Sequence, residues 1–322
     1  MPEATHAQVQ RELFLRSFFS VSPPDELASL LTERMKDRLF QPGQVIYERG
    51  TLPGAMFFIT HGVVELVAPG EAPWVLEDRS FIGAIDANAG QRHPRTARAR
   101  TRVRAIEMHF EEYLMILEDF FDFAKSMLAQ GAQRTWETSL RAAPDGVFGP
   151  SVEPTGEWLA RGSLDEVQRL LVLRNSRPFE RAPVQALVTL ARQTREVRYH
   201  GGEVIFRAGD PNHGMMMVAD GRLHVTHDAP PIDSWVGPGN FAQGVIELPG
   251  GPRRVTATAA TDVVLLRIAH EDLFDAMEEH FGLARSWWVY QGRENSRARL
   301  AAARRSARED EASPTDAVAV KT

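Results

Sequence analysis

The sequence contains no cysteine, which excludes disulfide cross-links, thiol nucleophiles and cysteine-ligated zinc sites. Lysine is scarce, with three residues against 34 arginines. The first 30 residues hold no apolar stretch long enough for a signal peptide or a membrane span. We therefore expect a cytoplasmic protein that has no membrane partner.

Positive charge is not in excess either. The formal net charge is −6, whereas a protein whose surface is built to hold nucleic acid is usually basic. Nucleic acid is therefore not an expected partner. A chain of 322 residues with 43% hydrophobic and 25% charged residues has the composition of a globular protein and the length of two ordinary domains.

The motifs of several enzyme classes are absent. The sequence has no Gly-x-Ser-x-Gly turn, no Walker-type phosphate loop and no dinucleotide-binding fingerprint. Its only close histidine pair, His224 and His227, is three positions apart in a predicted strand, so the two rings point to opposite faces. We expect no catalytic residues, no metal site and no enzymatic activity.

The chain repeats itself. GQVIYERG at 43–50 returns as GEVIFRAG at 202–209, and MFFITHG at 56–62 returns as MMMVADG at 215–221, in both cases 159 positions later. Further on, EEYL at 111–114 corresponds to EDLF at 271–274 with an offset of 160. Three similar blocks in one order indicate two copies of one unit.

Short apolar runs separated by glycine and proline predict many short strands in each copy, which favours a sandwich or a closed barrel. Helical patterns flank the strands. The stretch 143–156 is rich in proline and glycine, and Ser163 to Glu166 matches a capping box that begins the next helix. We predict a first domain over 14–142, a linker over 143–162, a second domain over 163–300, and a basic helix end with a tail over 301–322.

A glycine-rich turn leading to a Pro-Arg pair and a strand closes the pattern in both copies. It reads FIGAIDANAGQRHPRTA at 81–97 and GPGNFAQGVIELPGGPRRVTA at 237–257. Together with the repeated blocks, this segment resembles the cyclic nucleotide-binding domain family, over roughly 14–130 and 172–292. The resemblance implies a mainly β fold with flanking helices, built as two tandem jelly-roll (double-stranded β-helix) barrels.

The resemblance also implies a phosphate-binding cassette in each copy, in which an arginine binds the cyclic phosphate and a glutamate binds the ribose hydroxyl. It places Arg253 and Arg254 in the second cassette, with Gln243 and Gly244 where glycine and the glutamate are expected. In the first cassette it places Gly83, Ala84, Arg95 and Thr96, with Arg92 and His93 as a two-residue insertion. The glutamate is missing from both, so we expect weak or altered binding of cyclic AMP or cyclic GMP.

Two interpretations of the whole chain remain open. In the first, the chain is a non-catalytic regulatory or adaptor protein that contacts another protein or a second copy of itself. In the second, Arg95 and Arg253 form only local salt bridges, and the barrels are a ligand-free structural scaffold. The arginine-rich segment 293–308 predicts a basic helix; a nucleic acid or an acidic protein is a possible ligand for it, but we favour a solvated helix extension.

Overall fold

The structure, a computed structural model, describes residues 11, 15, 22–142, 148, 151–228, 231–243 and 251–312. Among the parts of the sequence that lie outside these residues are Gly244, the start of the predicted linker at 143–150 except residue 148, and the tail beyond 312. None of the described helices is long and apolar enough to cross a membrane.

The first repeat contains eight strands and the helices that flank them, within the described residues. In chain order these are α1 (Asp25–Arg34), β1 (Lys36–Phe40), β2 (Val45–Tyr47), β3 (Ala55–His61), β4 (Val64–Val67), β5 (Trp74–Leu76), β6 (Phe81–Ile82), α2 (Ala84–Asn88), β7 (Thr96–Ala99), β8 (Val103–His109), α3 (Phe110–Asp119) and α4 (Phe121–Ala142). The strands form two antiparallel sheets, in the orders β1-β8-β3-β6 and β2-β7-β4-β5.

The second repeat has the same plan. Its elements are α5 (Glu166–Arg174), a 3-10 turn (Arg177–Phe179), α6 (Val184–Gln193), β9 (Arg195–Tyr199), β10 (Val204–Phe206), β11 (Gly214–Asp220), β12 (Leu223–His227), β13 (Ile232–Val236), β14 (Thr256–Ala259), β15 (Val263–Ala269), α7 (His270–Glu279) and α8 (Phe281–Ala312). The sheet orders are β9-β15-β11 and β10-β14-β12-β13. The predicted fold class, two tandem jelly-roll barrels with flanking helices, is confirmed.

Alternation along the strands produces the barrel core. In the first repeat, apolar side chains from both sheets meet in one buried cluster that includes Phe57, Ile59, Val64, Ile82, Ala97 and Val103. Successive side chains of a strand point to opposite faces, so residues two apart on β7, Ala97 and Ala99, both enter this cluster. His93 and Arg95, in the segment just before β7, are buried as well.

The chain divides into two compact units that do not follow the predicted domain boundaries. The first unit comprises the described residues up to Gln130 together with 277–293, and the second comprises 131–276 together with the residues from Glu294 onward. Each unit therefore contains a helical segment that follows the other repeat in sequence. In the first unit, Arg285 of α8 pairs with Glu111 and the Gln291 side chain donates to the Leu128 carbonyl at 2.9 Å.

Part of the predicted linker is bound to the second unit. The Asp220 carboxylate, which is fully buried, accepts backbone N–H groups from Gly156, Trp158 and Leu159 at 2.9–3.3 Å. The predicted capping box at Ser163 is wrong. The cap of α5 is Asp165, which forms a reciprocal pair with Gln168, so the helix begins two residues later than the pattern suggested.

The predicted basic helix is the C-terminal half of α8, in which Arg299 is exposed whereas Arg293 and Arg297 are half-buried and have protein partners. Arg293 donates to the Ala89 carbonyl at 3.3 Å in the first unit. In the second unit, Arg297 bonds the Glu294 carboxylate and the Phe148 carbonyl, and Arg177 reaches the same carboxylate. Glu294 is only 3% exposed, whereas both arginines are half-buried, so the cluster joins a buried carboxylate to two partly solvated guanidinium groups.

Candidate phosphate-binding cassettes

The backbone fixes which residues of the two cassettes are equivalent. Gly50 N–H donates to the His93 carbonyl at 2.8 Å, and Gly209 N–H donates to the Arg253 carbonyl at 2.8 Å. Since the two glycines are equivalent in the repeat, so are His93 and Arg253. Strand pairing gives the same correspondence. Val45 pairs with Arg98 and its equivalent Val204 pairs with Thr258, so Arg98 and Thr258 are equivalent too. The expected pairing of Arg95 with Arg253 is therefore wrong, and the residue equivalent to Arg95 is Val255.

The first cassette holds a histidine at the arginine position. His93 is 3% exposed, its Nδ1 lies 2.8 Å from the Asp86 carboxylate, and its ring stacks on Tyr47 with centroids 3.8 Å apart. Burial, and then the negative charge of Asp86, raise the pKa of Tyr47 well above its usual range. The three side chains form a closed polar group in which a carboxylate already pairs with the imidazole.

The turn before this group is tight. Gly83 has φ of +83°, and a Cβ there would lie 2.9 Å from the Ala55 carbonyl oxygen, so glycine is required. Ala84 follows, buried at the start of the short helix α2, and has no polar atom for a ribose hydroxyl. Gly83 and Ala84 therefore lie at the turn that joins β6 to α2.

Arg95 has different partners from those expected of a phosphate ligand. Its guanidinium bonds the Glu71 carboxylate, donates to the carbonyls of Leu66 and Ala72 at 3.2 and 3.1 Å, and lies 4.1 Å from the centre of the Trp74 ring. Thr96 accepts a hydrogen bond from the Arg49 N–H at 3.0 Å, and the equivalent Thr256 accepts from Ala208. Both threonines therefore hold the loop after β2 or β10.

The second cassette keeps an arginine at the inward position. Arg253 is 5% exposed, donates to the Gly214 carbonyl at 2.7 Å and lies 4.3 Å from the centre of the Phe206 ring, where the first repeat has His93 on Tyr47. Gln243 is 1% exposed, and its Oε1 accepts the Arg254 N–H at 2.8 Å. Gly244, the expected counterpart of the glutamate, lies outside the described residues.

Arg254 points away from Arg253 and meets a helix of the second unit. Its guanidinium bonds the Gln133 side-chain oxygen and lies 5.8 Å from the centre of the Trp136 ring. Burial lowers the pKa of Arg254, and the nearby charge of Glu137 opposes this shift. Trp136 itself packs edge-on against His227 at the end of β12, with ring centroids 6.0 Å apart.

Sequence reasoning missed His93, Asp86, Tyr47 and Trp136. One signal was available for His93, because the offset between repeats is 160 after the cassette and 159 before it. Counting back from the later anchor assigns His93, and not Arg95, to the position of Arg253. No comparable signal marks Trp136, which reaches β12 from a helix 91 positions earlier in the chain.

The described residues contain no group of three or more histidine, aspartate or glutamate side chains placed to bind a metal ion. His224 instead pairs with Asp233 at 2.7 Å and stacks on Trp235.

Comparison with known proteins gives the family. A sequence profile of the cyclic nucleotide-binding domain matches residues 37–120 and 196–280. Potassium/sodium hyperpolarization-activated cyclic nucleotide-gated channel 2 of Mus musculus is 31% identical over 102 residues, which is 32% of this chain and 12% of the channel. Channel 4 of Homo sapiens is also 31% identical over 102 residues, and the matched region is 8% of that channel. The chain thus spans a small part of the channels that it matches.

Solved structures with a similar fold include two regulatory proteins. The regulatory domain of Toxoplasma gondii protein kinase A, crystallised with cAMP, is 13% identical with a TM-score of 0.35, and the match covers 88% of this chain and 95% of that one. The regulatory subunit of a cAMP-independent protein kinase A from Trypanosoma brucei is 12% identical with a TM-score of 0.33, covering 87% and 91%.

Proposed function

This chain belongs to the cyclic nucleotide-binding domain family, and on that premise we propose that it is a non-catalytic regulatory or adaptor protein. In this proposal the second repeat binds a cyclic nucleotide with reduced or altered affinity. The output is contact with another protein or with a second copy of the chain.

The observation that carries the proposal is the difference between Arg253 and His93 at one barrel position. A guanidinium is permanently charged and offers a fork of donors that matches a phosphate. Arg253 is buried, and its guanidinium donates to the neutral carbonyl of Gly214 and lies over the Phe206 ring. An anionic phosphate that enters the second barrel is attracted by the positive charge of Arg253 at short range.

The first repeat offers the opposite environment. At the same position His93 is already bonded to Asp86, whose negative charge repels a phosphate. Arg95 is paired with Glu71, so a ligand anion would have to displace that carboxylate. The charges therefore favour one nucleotide site per chain, in the second repeat.

Missing ribose recognition sets the expected affinity. A hydrogen bond to a charged group contributes about 1.5–3 kcal/mol, so the absence of a glutamate from the family position lowers affinity by about tenfold to more than a hundredfold. The resemblance assigns that position of the sequence to Ala84 in the first cassette and to Gly244 in the second.

Transmission to a partner requires that ligand binding change a neighbouring contact. Arg254 is adjacent to Arg253 in sequence and lies against Trp136 on a helix of the second unit. A ligand that moves Arg253 also moves the neighbouring Arg254, because both lie in the segment that leads into β14. If the ligand binds more tightly when the Trp136 helix is in one position, ligand binding shifts the population of states toward that position.

Thermal unfolding with cyclic AMP and with cyclic GMP tests the proposal. A ligand at about 100 times its Kd adds about 2.7 kcal/mol of apparent stability, which is measurable as a raised Tm. We expect a rise in the wild type, none in Arg253→Ala and an unchanged rise in the matched control Arg95→Ala. Arg253→Lys separates charge from geometry, since it keeps the charge and loses the fork.

A ligand-free scaffold is the second candidate, and specific contacts favour it. The Gln243 side chain is already used by the Arg254 N–H, and Arg253 already bonds a carbonyl. If neither nucleotide at millimolar concentration moves the wild-type Tm, the scaffold replaces the sensor.

A further inference from the structure

The two repeats differ at one end of the barrel, where the β3–β4, β5–β6 and β7–β8 turns of the first repeat meet. The Arg100 N–H donates to the Val63 carbonyl at 2.8 Å, which joins the last of these turns to the first. The Gly62 N–H donates to the Asp78 carboxylate at 2.6 Å, which joins the first to the second. The three turns therefore lie side by side.

The same backbone contacts recur in the second repeat, so the two ends can be compared residue by residue. The Ala260 N–H donates to the Arg222 carbonyl at 2.9 Å, so Ala260 is equivalent to Arg100. The N–H groups of Arg79 and Gly239 donate to carbonyls of β3 and β11, at 2.7 and 3.1 Å respectively. These two residues are therefore equivalent as well.

In the second repeat, the segment that precedes α5 covers this end. Ser151 Oγ accepts the Gly237 N–H at 2.9 Å, and a Cβ on Gly237 would lie 3.0 Å from the Val152 carbonyl oxygen. The Glu153 carboxylate of the same segment pairs with Arg222. A peptide segment that carries a carboxylate therefore occupies this end of the second barrel.

The equivalent end of the first repeat, which we call the basic end, carries four exposed arginines: Arg79, Arg100, Arg102 and Arg104. Across the described ranges, no ion pair and no hydrogen bond is recorded for their guanidinium groups. At these positions the second repeat has no basic residue, but Gly239, Ala260, Asp262 and Val264. Because the second barrel forms without these charges, the fold does not require them.

The acidic groups of this end also differ between the repeats. Asp78 lies 3.5 Å from His61 Nδ1, and Glu77 stands where the second repeat has Gly237, whose missing side chain makes room for the covering segment. Where Asp220 accepts three N–H groups of that segment, the first repeat has His61, whose ring can donate a hydrogen bond. The basic end therefore suits a different segment, one that presents acceptors.

We propose that the basic end binds an acidic peptide segment of another protein. Arginine forks match carboxylates, and the pair of Glu153 with Arg222 uses the same chemistry at the equivalent end. A peptide is favoured over nucleic acid, because the formal net charge of −6 opposes a long phosphate backbone. Within the proposed function, on which this role rests, the basic end makes the partner contact, whereas peptide binding itself needs no nucleotide.

Fluorescence anisotropy with the full chain tests the basic end. The probe is a short labelled peptide in which threonine and glutamate alternate, and the control peptide has glutamine in place of glutamate. We expect only the glutamate peptide to bind, with an affinity that falls as salt is added, because exposed charges are screened.

Arg100→Ala combined with Arg102→Ala should weaken this binding about fivefold or more, the usual effect of losing two exposed ion pairs. The matched control combines Arg34→Ala with Arg207→Ala, which removes the same charge from exposed arginines outside the basic end and should leave the affinity unchanged. An unchanged Tm in both double variants shows that a loss of binding is not a loss of fold.

Three results would overturn the proposal. One is a Kd for the glutamate peptide above about 1 mM. Another is equal weakening in the two double variants, since the attraction would then come from net charge alone. The third is tighter binding of a short oligothymidylate that is lost in Arg100→Ala with Arg102→Ala, which would make this end a nucleic-acid site. Arg253→Ala should leave peptide binding intact while it abolishes cyclic nucleotide binding, so this proposal and the proposed nucleotide site fail independently.

Discussion

Replacing Asp220 with alanine should release the segment that precedes α5. The Asp220 carboxylate accepts four backbone N–H groups, from Gly156, Trp158, Leu159 and its neighbour Gly221, at 2.9–3.3 Å. It is fully buried, so each bond is shielded from water. Three of the four donors belong to the segment, and they form hydrogen bonds to water when the segment detaches. Each of these three bonds therefore contributes only about 1 kcal/mol to the free energy that holds the segment in place.

Asp220→Ala therefore lowers the free energy of segment opening by about 3 kcal/mol. Where cleavage follows the population of the open form, this corresponds to roughly a hundredfold faster tryptic cleavage after Arg161. Native-state proteolysis followed by mass spectrometry measures that rate, and urea unfolding measures the global change. Asp228→Ala, at an exposed aspartate of the same unit, is the control and should change stability by less than about 0.5 kcal/mol.

An unchanged cleavage rate in Asp220→Ala would refute the reasoning, because it would mean that the four bonds do not hold the segment. A large global loss of stability with protected Arg161 would contradict it as well, since the damage would then lie in the barrel.

Two other perturbations test the ionic contacts. Glu294→Gln removes a buried carboxylate from two half-buried arginines and should cost about 1.5–3 kcal/mol in urea unfolding, the usual range for hydrogen bonds to a charged group. Glu157→Gln, in an exposed pair with Arg161, should cost less than about 0.5 kcal/mol, and equal effects would contradict the burial argument. The Gly201 N–H, and then His200, hold the pKa of Asp262 below its usual value. Asp262 therefore stabilises the folded protein at pH values above its unfolded-state pKa of about 4. This stabilisation is lost as the pH falls through the folded-state pKa. Asp262→Asn should therefore reduce the difference between urea midpoints at pH 6 and pH 3, and an unchanged difference would exclude this group as a source of acid sensitivity.

The repeated blocks were sufficient to predict the fold. The turn glycines recur at fixed spacing because each barrel needs the same positive-φ turns, as at Gly62 and Gly221. Strands such as β3 and β11 were visible as apolar runs because their side chains are buried along most of their length.

The site was only partly predictable, for two physical reasons. The two cassettes have the same length, because Arg79 is equivalent to Gly239 before them and Ala97 to Ala257 after them. The extra residue of the second repeat lies earlier, between β12 and β13. The insertion that we assumed at Arg92 and His93 is therefore wrong, and it shifted the comparison from His93 to Arg95. The contacts of Trp136 and of Asp220 join residues far apart in sequence, and neither residue type nor period indicates which distant element will supply a partner. The ionic partner of Arg95 was anticipated in kind, as a local salt bridge, but Glu71 was not identified.

The stoichiometry of cyclic nucleotide binding tests the central claim most directly. Isothermal titration of the wild type with cyclic AMP and with cyclic GMP should give one site per chain for at least one of them, and Arg253→Ala should abolish it. Two sites per chain, or a site that survives Arg253→Ala and disappears in Arg95→Ala, would contradict the account.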